Sequence, residues 1–125
     1  MLKKLIVSLL LIGLGILGGF WMGAHHSRRE ALKFETAYQA VLLDNGQVYY
    51  GKLERARSEY PILTEVYYVQ NQVNPQTKEV TNILVRRGNE WHAPDRTYLN
   101  ARHIILIEPV GANSKVAQLI AETKH

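Results

Sequence analysis

Hydrophobic residues follow two regimes along the chain. Residues 5–24 (LIVSLLLIGLGILGGFWMGA) run for twenty positions without a charge, and from residue 38 onward apolar residues come in short clusters separated by turn formers. At a rise of ~1.5 Å per residue, a helix of the first run is about 30 Å long, the thickness of a bilayer's hydrocarbon core. The pattern predicts a membrane-spanning helix between Lys3-Lys4 and the polar run His25-His26-Ser27-Arg28-Arg29-Glu30. A cleaved signal peptide is the competitor, but its apolar stretch is usually only ~7–15 residues long. The small residues near the end of the run, Gly23 and Ala24, also follow the bulky Trp21 and Met22 two places earlier. A retained anchor over residues 1–24 is expected, with Trp21 at the interface.

The basic flanks nearly balance, with Lys3 and Lys4 facing Arg28, Arg29 and Lys33. A four-residue tail carrying two lysines is more naturally left inside. The expectation is a single-pass protein of the cell (inner) membrane with its soluble domain on the exported side. Within the run, Gly15, Gly19 and Gly23 recur every four residues. Such a stripe admits close approach of another helix, from a second copy or another membrane protein, although glycine is also common in spanning helices at large.

Beyond a polar juxtamembrane linker at residues 25–37, the pattern predicts β structure. Residues 38–43 and 47–53 flank Asp44-Asn45-Gly46, a strong hairpin signal. Gly51 inside the second run predicts a bulge or sharp bend. Residues 61–70 and 80–87 make a second hairpin across the polar loop 71–79, followed by a mixed stretch at 91–96 and a short run at 97–99. Residues 102–108 form a nearly continuous apolar strand ended by Pro109 and Gly111. Asn113 or Ser114 then caps a short helix with Val116, Leu119 and Ile120 on one face. The expected fold is mainly β: a five- or six-stranded antiparallel barrel, closed or half-closed, over 38–110, with a C-terminal helix and tail over 111–125. Closure would remove exposed strand edges.

Composition narrows the chemistry. Of 15 basic and 11 acidic residues, Lys3 and Lys4 precede residue 25, so the remainder carries a surplus of only two positive charges. That argues against a nucleic-acid partner unless folding gathers Arg55, Arg57, Arg86, Arg87, Arg96 and Arg102 on one face, which would equally suit a membrane surface. The absence of cysteine excludes disulfides, thiolate metal sites and a cysteine nucleophile. No phosphate-binding loop, HExxH, GxSxG or dinucleotide fingerprint occurs, so no catalytic residue, cofactor or metal is assigned and an enzyme is not expected.

The densest polar cluster is Glu90, His92 and Asp95, from which a general base or two-ligand metal site could be drawn. The simpler reading makes Trp91 and Pro94 a plug and turn at the barrel mouth, with His92 capping a backbone group. His103 is read as a strand residue, and His25 and His26 as headgroup contacts beside Arg28 and Arg29. Tyr49-Tyr50 and Tyr67-Tyr68 must alternate across their strands, one tyrosine of each pair facing inward. Tyr50 and Tyr68, with Trp91 and His92, form the candidate interaction surface, cross-strand pairing being the simpler role for the tyrosines.

The segment LDNGQVYYGKL, Leu43 onward, is similar to small SH3-type barrels and to the first motif of Sm-like proteins: an apolar residue, a turn glycine, and a second glycine where the strand bends. The stretch LNARHIILI from Leu99 is similar to the second Sm motif. Ala101 stands there in place of a glycine and the basic residue follows it, so RNA binding is not implied. Tyr38 to Ile120 resembles uncharacterised bacterial single-pass membrane proteins that share an NGQVYxGKL-like hairpin and a GNExH-like turn, here Gly88-Asn89-Glu90-Trp91-His92. PRC-type barrels have a comparable layout. The resemblance implies a small barrel at the bacterial envelope, acting in interaction or assembly with a protein partner, and implies no reaction.

Overall fold

The structure, a computed structural model, describes residues 32–124. The predicted anchor, its stripe of Gly15, Gly19 and Gly23, and the linker up to residue 31 lie outside them. Among the described residues no helix is long and apolar enough to cross a membrane.

Six strands and one helix follow in chain order: β1 (Gln39–Leu43), β2 (Val48–Glu54), β3 (Ile62–Val73), β4 (Val80–Arg86), β5 (Arg96–Tyr98), β6 (Ile104–Pro109) and α1 (Lys115–Thr123). The strands form one antiparallel sheet in the order β4-β3-β2-β1-β6. Strand β3 divides one of its edges, pairing Ile62, Leu63 and Thr64 with β5 and Tyr67 to Val73 with β4. The mainly β class and the strand count match the expectation. Ring closure does not: the sheet is open, with β4 and β6 at its two ends. Beyond Tyr67, β3 extends alongside β4 past its last registered partner on β2, Tyr50, so the two run on as a ribbon.

The β1–β2 hairpin turns through Asp44, Asn45 and Gly46. The Gly46 amide donates to the Leu43 carbonyl at 3.0 Å, Leu43 N–H to the Gln47 carbonyl at 2.9 Å, and Gly46 sits at φ 85°. This is a three-residue loop whose left-handed third residue is glycine. The irregularity expected at Gly51 is present, but the extra residue is on the opposite strand. Register passes from Tyr50↔Tyr67 to Lys52↔Thr64, so Gly51 faces both Glu65 and Val66. Glu65 takes φ 48°, and a Cβ on Gly51 would lie 2.9 Å from the Thr64 carbonyl oxygen. The glycine is needed because the bulge of β3 is folded against it.

Val41, Leu53, Leu63, Val66 and Leu99 bury one face of the sheet, with Tyr49, Ile104 and Ile107 packed against them. On the other, Tyr67 is fully buried and meets Tyr38 edge-to-face at 6.3 Å. Helix α1 starts where Ser114 Oγ accepts from Ala117 N–H at 3.1 Å, and of the predicted apolar face Ile120 is buried and Val116 and Leu119 half-buried. Strand β6 starts two residues later than expected. Asn100 Oδ1 accepts from Arg102 N–H at 3.1 Å and caps a 3-10 turn over Ala101–His103.

Candidate functional site

The two tyrosine pairs meet in a register that separates the expected surface residues. Tyr50 lies opposite Tyr67, which places Tyr49 beside Tyr68, their rings 6.4 Å apart and edge-on at 74°. Tyr50 and Tyr68 are therefore on opposite faces and share no surface, because antiparallel pairing matches the first residue of one pair with the second of the other. Tyr67 is buried and the other three are half-buried, so the aromatics join strands across each face.

Trp91 does not plug a barrel mouth. It is fully exposed, at 106% of its reference area, and His92 beside it is exposed too. The cause is local. Glu90 Oε2 accepts from Gly88 N–H and the Glu90 carbonyl accepts from Ala93 N–H, both at 2.8 Å, which closes the loop from below and leaves residues 91 and 92 at its tip. Gly88 at φ 137° and Ala93 at φ 44° supply the turns. The Gly88 amide, ahead of the nearby Arg87 and His92, holds the Glu90 carboxyl below its usual range. Asp95 turns to the Arg96 guanidinium, with both contacts at 3.3 Å. Glu90 and Asp95 thus face different partners, and among the described residues no group of three or more His, Cys, Asp or Glu could hold a metal.

The arginines divide. Arg86, Arg87 and Arg96 line one cleft of about 440 Å³, located where β3 exchanges β5 for β4 and floored by Glu65 and Val66. The Arg86 guanidinium lies 5.9 Å from the Tyr67 ring centre and that of Arg87 5.7 Å from the Tyr49 ring centre. Arg87 Nη1 reaches Tyr49 Oη at 3.5 Å, whereas its Nε is buried without a hydrogen-bond partner, 3.8 Å from the nearest Glu90 oxygen. Arg102 belongs to a separate hollow with Tyr60 and Asn100, and Arg55 and Arg57 to the β2–β3 connection.

Two features have no counterpart in the linear pattern. His103 Nδ1 meets Asp44 Oδ2 at 2.6 Å and the Asp44 N–H donates to the His103 carbonyl at 2.9 Å, tying the first hairpin to the 3-10 turn across 59 residues. The distal part of the β3–β4 ribbon also leaves Val69, Val73 and Val80 exposed by 43%, 60% and 63%. The alternation of valines could have signalled a ribbon face, but nothing local shows that it stays uncovered.

No protein-family model matches the sequence, and no curated protein matches it.

Proposed function

We propose that this chain is a membrane-tethered, non-catalytic interaction or assembly module, anchored through residues 5–24 with its β domain on the exported side of the inner membrane. The domain is read as an SH3/Sm-like barrel left open at one seam. A last strand that returns past a 3-10 turn to pair with the first supports that reading.

The observation that carries the interaction role is the β3–β4 ribbon. From Val69↔Leu84 to Val73↔Val80 its pairs stand beyond the registered reach of β2. The outer strand, at the end of the sheet, has no charge between Val80 and Val85. Soluble proteins ordinarily blunt such an edge with charge, proline or a cover, so a long uncharged one is a template for a partner strand. A photo-crosslinking residue at position 80 of the full chain in native membranes should give a discrete adduct. That adduct should disappear on the second change Thr81→Lys while one from position 57 is unaffected. Adducts that are absent, or indifferent to that charge, remove the ribbon as the contact. Protease treatment of spheroplasts tests the orientation separately, since a protected β domain places it in the cytoplasm. Gly19→Ile tests the glycine stripe, which requires weaker anchor association in a membrane two-hybrid assay.

A further inference from the structure

The Trp91 loop and the arginine cleft at its base are not used by the strand-pairing role. The two stems of the loop supply Arg87 and Gly88 on one side and Pro94, Asp95 and Arg96 on the other, all lining the cleft. The exposed indole is thus carried directly by a sheet edge flanked by arginines, Arg86 over Tyr67 on one face and Arg87 over Tyr49 on the other. Tyr98, 62% exposed, lies two residues from Arg96 on β5, hence on the same face of that strand.

Both carboxylates of the loop are turned to groups within it, Glu90 to Gly88 and Arg87 and Asp95 to Arg96. Glu65 on the floor is engaged by Lys52 and Lys124. Among the described residues Arg86 has no ion-pair partner, whereas Arg87 pairs with Glu90 at 3.8 Å and reaches Tyr49 Oη. The lining thus carries a surplus of one positive charge, with Arg86 as its unpaired guanidinium, beside solvent-facing aromatics. Guanidinium forks match phosphate oxygens, and tryptophan and tyrosine favour the headgroup layer.

We propose that this loop and cleft are a lipid-contact surface that seats the β domain on an anionic bilayer: Trp91 enters the interfacial layer, and Arg86, Arg87 and Arg96 take headgroup phosphates. The occupant is a membrane because an isolated, fully exposed indole at a loop tip has no pocket of its own to fill. An anionic surface suits the cleft because its three lining arginines outnumber its two carboxylates, Glu65 and Asp95. The inference rests on the anchored reading for its proximity: residues 25–37 span at most about 45 Å when extended, which keeps the domain within reach of the surface.

Trp21 and Trp91 are the chain's two tryptophans, which separates the proposal from the anchor. The full chain is reconstituted in nanodiscs of phosphatidylcholine, alone or mixed with phosphatidylglycerol, containing lipid brominated near the top of its acyl chains. In Trp21→Phe, where emission reports Trp91 alone, the mixed discs should shift the spectrum to the blue and quench it several-fold more than the neutral discs. Adding Arg86→Gln and Arg96→Gln should remove most of that difference. Water-like, unquenched Trp91 emission in the mixed discs overturns the proposal, as does quenching that is indifferent to both phosphatidylglycerol and the arginines. The Trp91→Phe chain reports Trp21 in parallel. Quenched Trp21 beside unquenched Trp91 defeats the lipid contact alone, and the reverse result keeps the contact and defeats the anchor.

Discussion

Two single residues hold more of the sheet together than their types suggest. Gln39 is 2% exposed, with Nε2 donating to the Thr36 carbonyl at 2.7 Å and Oε1 accepting from Leu53 N–H at 2.9 Å. Its side chain extends the β1–β2 connection beyond Gln39↔Gly51, the last registered pair. Replacing it with leucine keeps the bulk and strands both backbone groups, at a cost of about 1–3 kcal/mol for a buried unsatisfied partner. Gln39→Leu should therefore lower the unfolding free energy of the full chain by that amount, read as a lower urea midpoint with an unchanged slope. Gly51→Ala acts by a different route. Its Cβ would meet the Thr64 carbonyl oxygen at 2.9 Å and Leu63 Cδ2 at 3.1 Å, and since the first is backbone the bulge itself must move. A loss of about 1–3 kcal/mol is expected, as for overpacking elsewhere, and a melting temperature equal to that of the parent would refute it. Gly51 was legible as a bend because glycine inside a strand pattern has few other uses. Gln39 was not, because a polar residue at a strand start looks like a solvated one until Leu53 is brought to it.

The strands were readable where an apolar pattern repeats and less so where pairing alone sustains them. β1, β2 and β4 begin and end within a residue or so of the run that announces them. β3 continues to Val73, beyond the apolar run that ends at residue 70, because Asn71↔Asn82 and Gln72↔Thr81 prolong the ladder without burying anything. The onset of β6 is displaced by the cap that Asn100 makes for Arg102, a side-chain to backbone bond that apolar periodicity does not register. The candidate surface was less legible still. Alternation shows that Tyr49 and Tyr50 diverge, but which of them meets Tyr68 depends on register, and register depends on a bulge in β3. Trp91 reads as a plug at a barrel mouth, and only the short circuit of its loop through Glu90 turns it outward. These elements also differ in what they contribute to stability. Val73→Thr with Val80→Thr, on the exposed ribbon, should move stability by no more than about 0.5 kcal/mol, whereas Leu63→Ala in the buried face should cost about 2–5 kcal/mol. Comparable losses in the two variants, measured by chemical denaturation, would mean that the ribbon is covered in solution.

The bulge of β3, strand β2 and the end of the C-terminal helix meet at one ion cluster. Glu65, at the bulge of β3, contacts Lys52 of β2 at 2.5 Å and Lys124, at the end of α1, at 3.5 Å, and both ammonium groups lie 5.4–5.6 Å from the centre of the Tyr38 ring. Hydrogen bonding and charge from Lys52, then the charge of Lys124, hold the Glu65 carboxyl below its ordinary value of 4.5, against the opposing effect of burial. The same contact raises Lys52, while Tyr38 first and then Glu65 raise Lys124. A carboxyl depressed by folding adds stability that is fully present above its unfolded value and is lost as pH falls through the folded one. The raised lysines work in the opposite direction, their contribution being present below 10.5 and lost as pH rises through their folded values. The cluster is partly solvated, with side-chain exposures of 28% for Glu65 and 44% for Lys52, so its worth is set near the surface-pair scale of at most about 1 kcal/mol. Glu65→Gln should therefore cost up to about 1 kcal/mol near pH 7. The difference from the parent should shrink as pH drops below 4.5 and vanish once the parent's own carboxyl is protonated. Paired thermal melts across the acid range measure this directly. A mutational cost that stays constant down to the lowest pH at which both chains fold would mean that Glu65 acts through the left-handed backbone of the bulge rather than through the charge that ties α1 to the sheet.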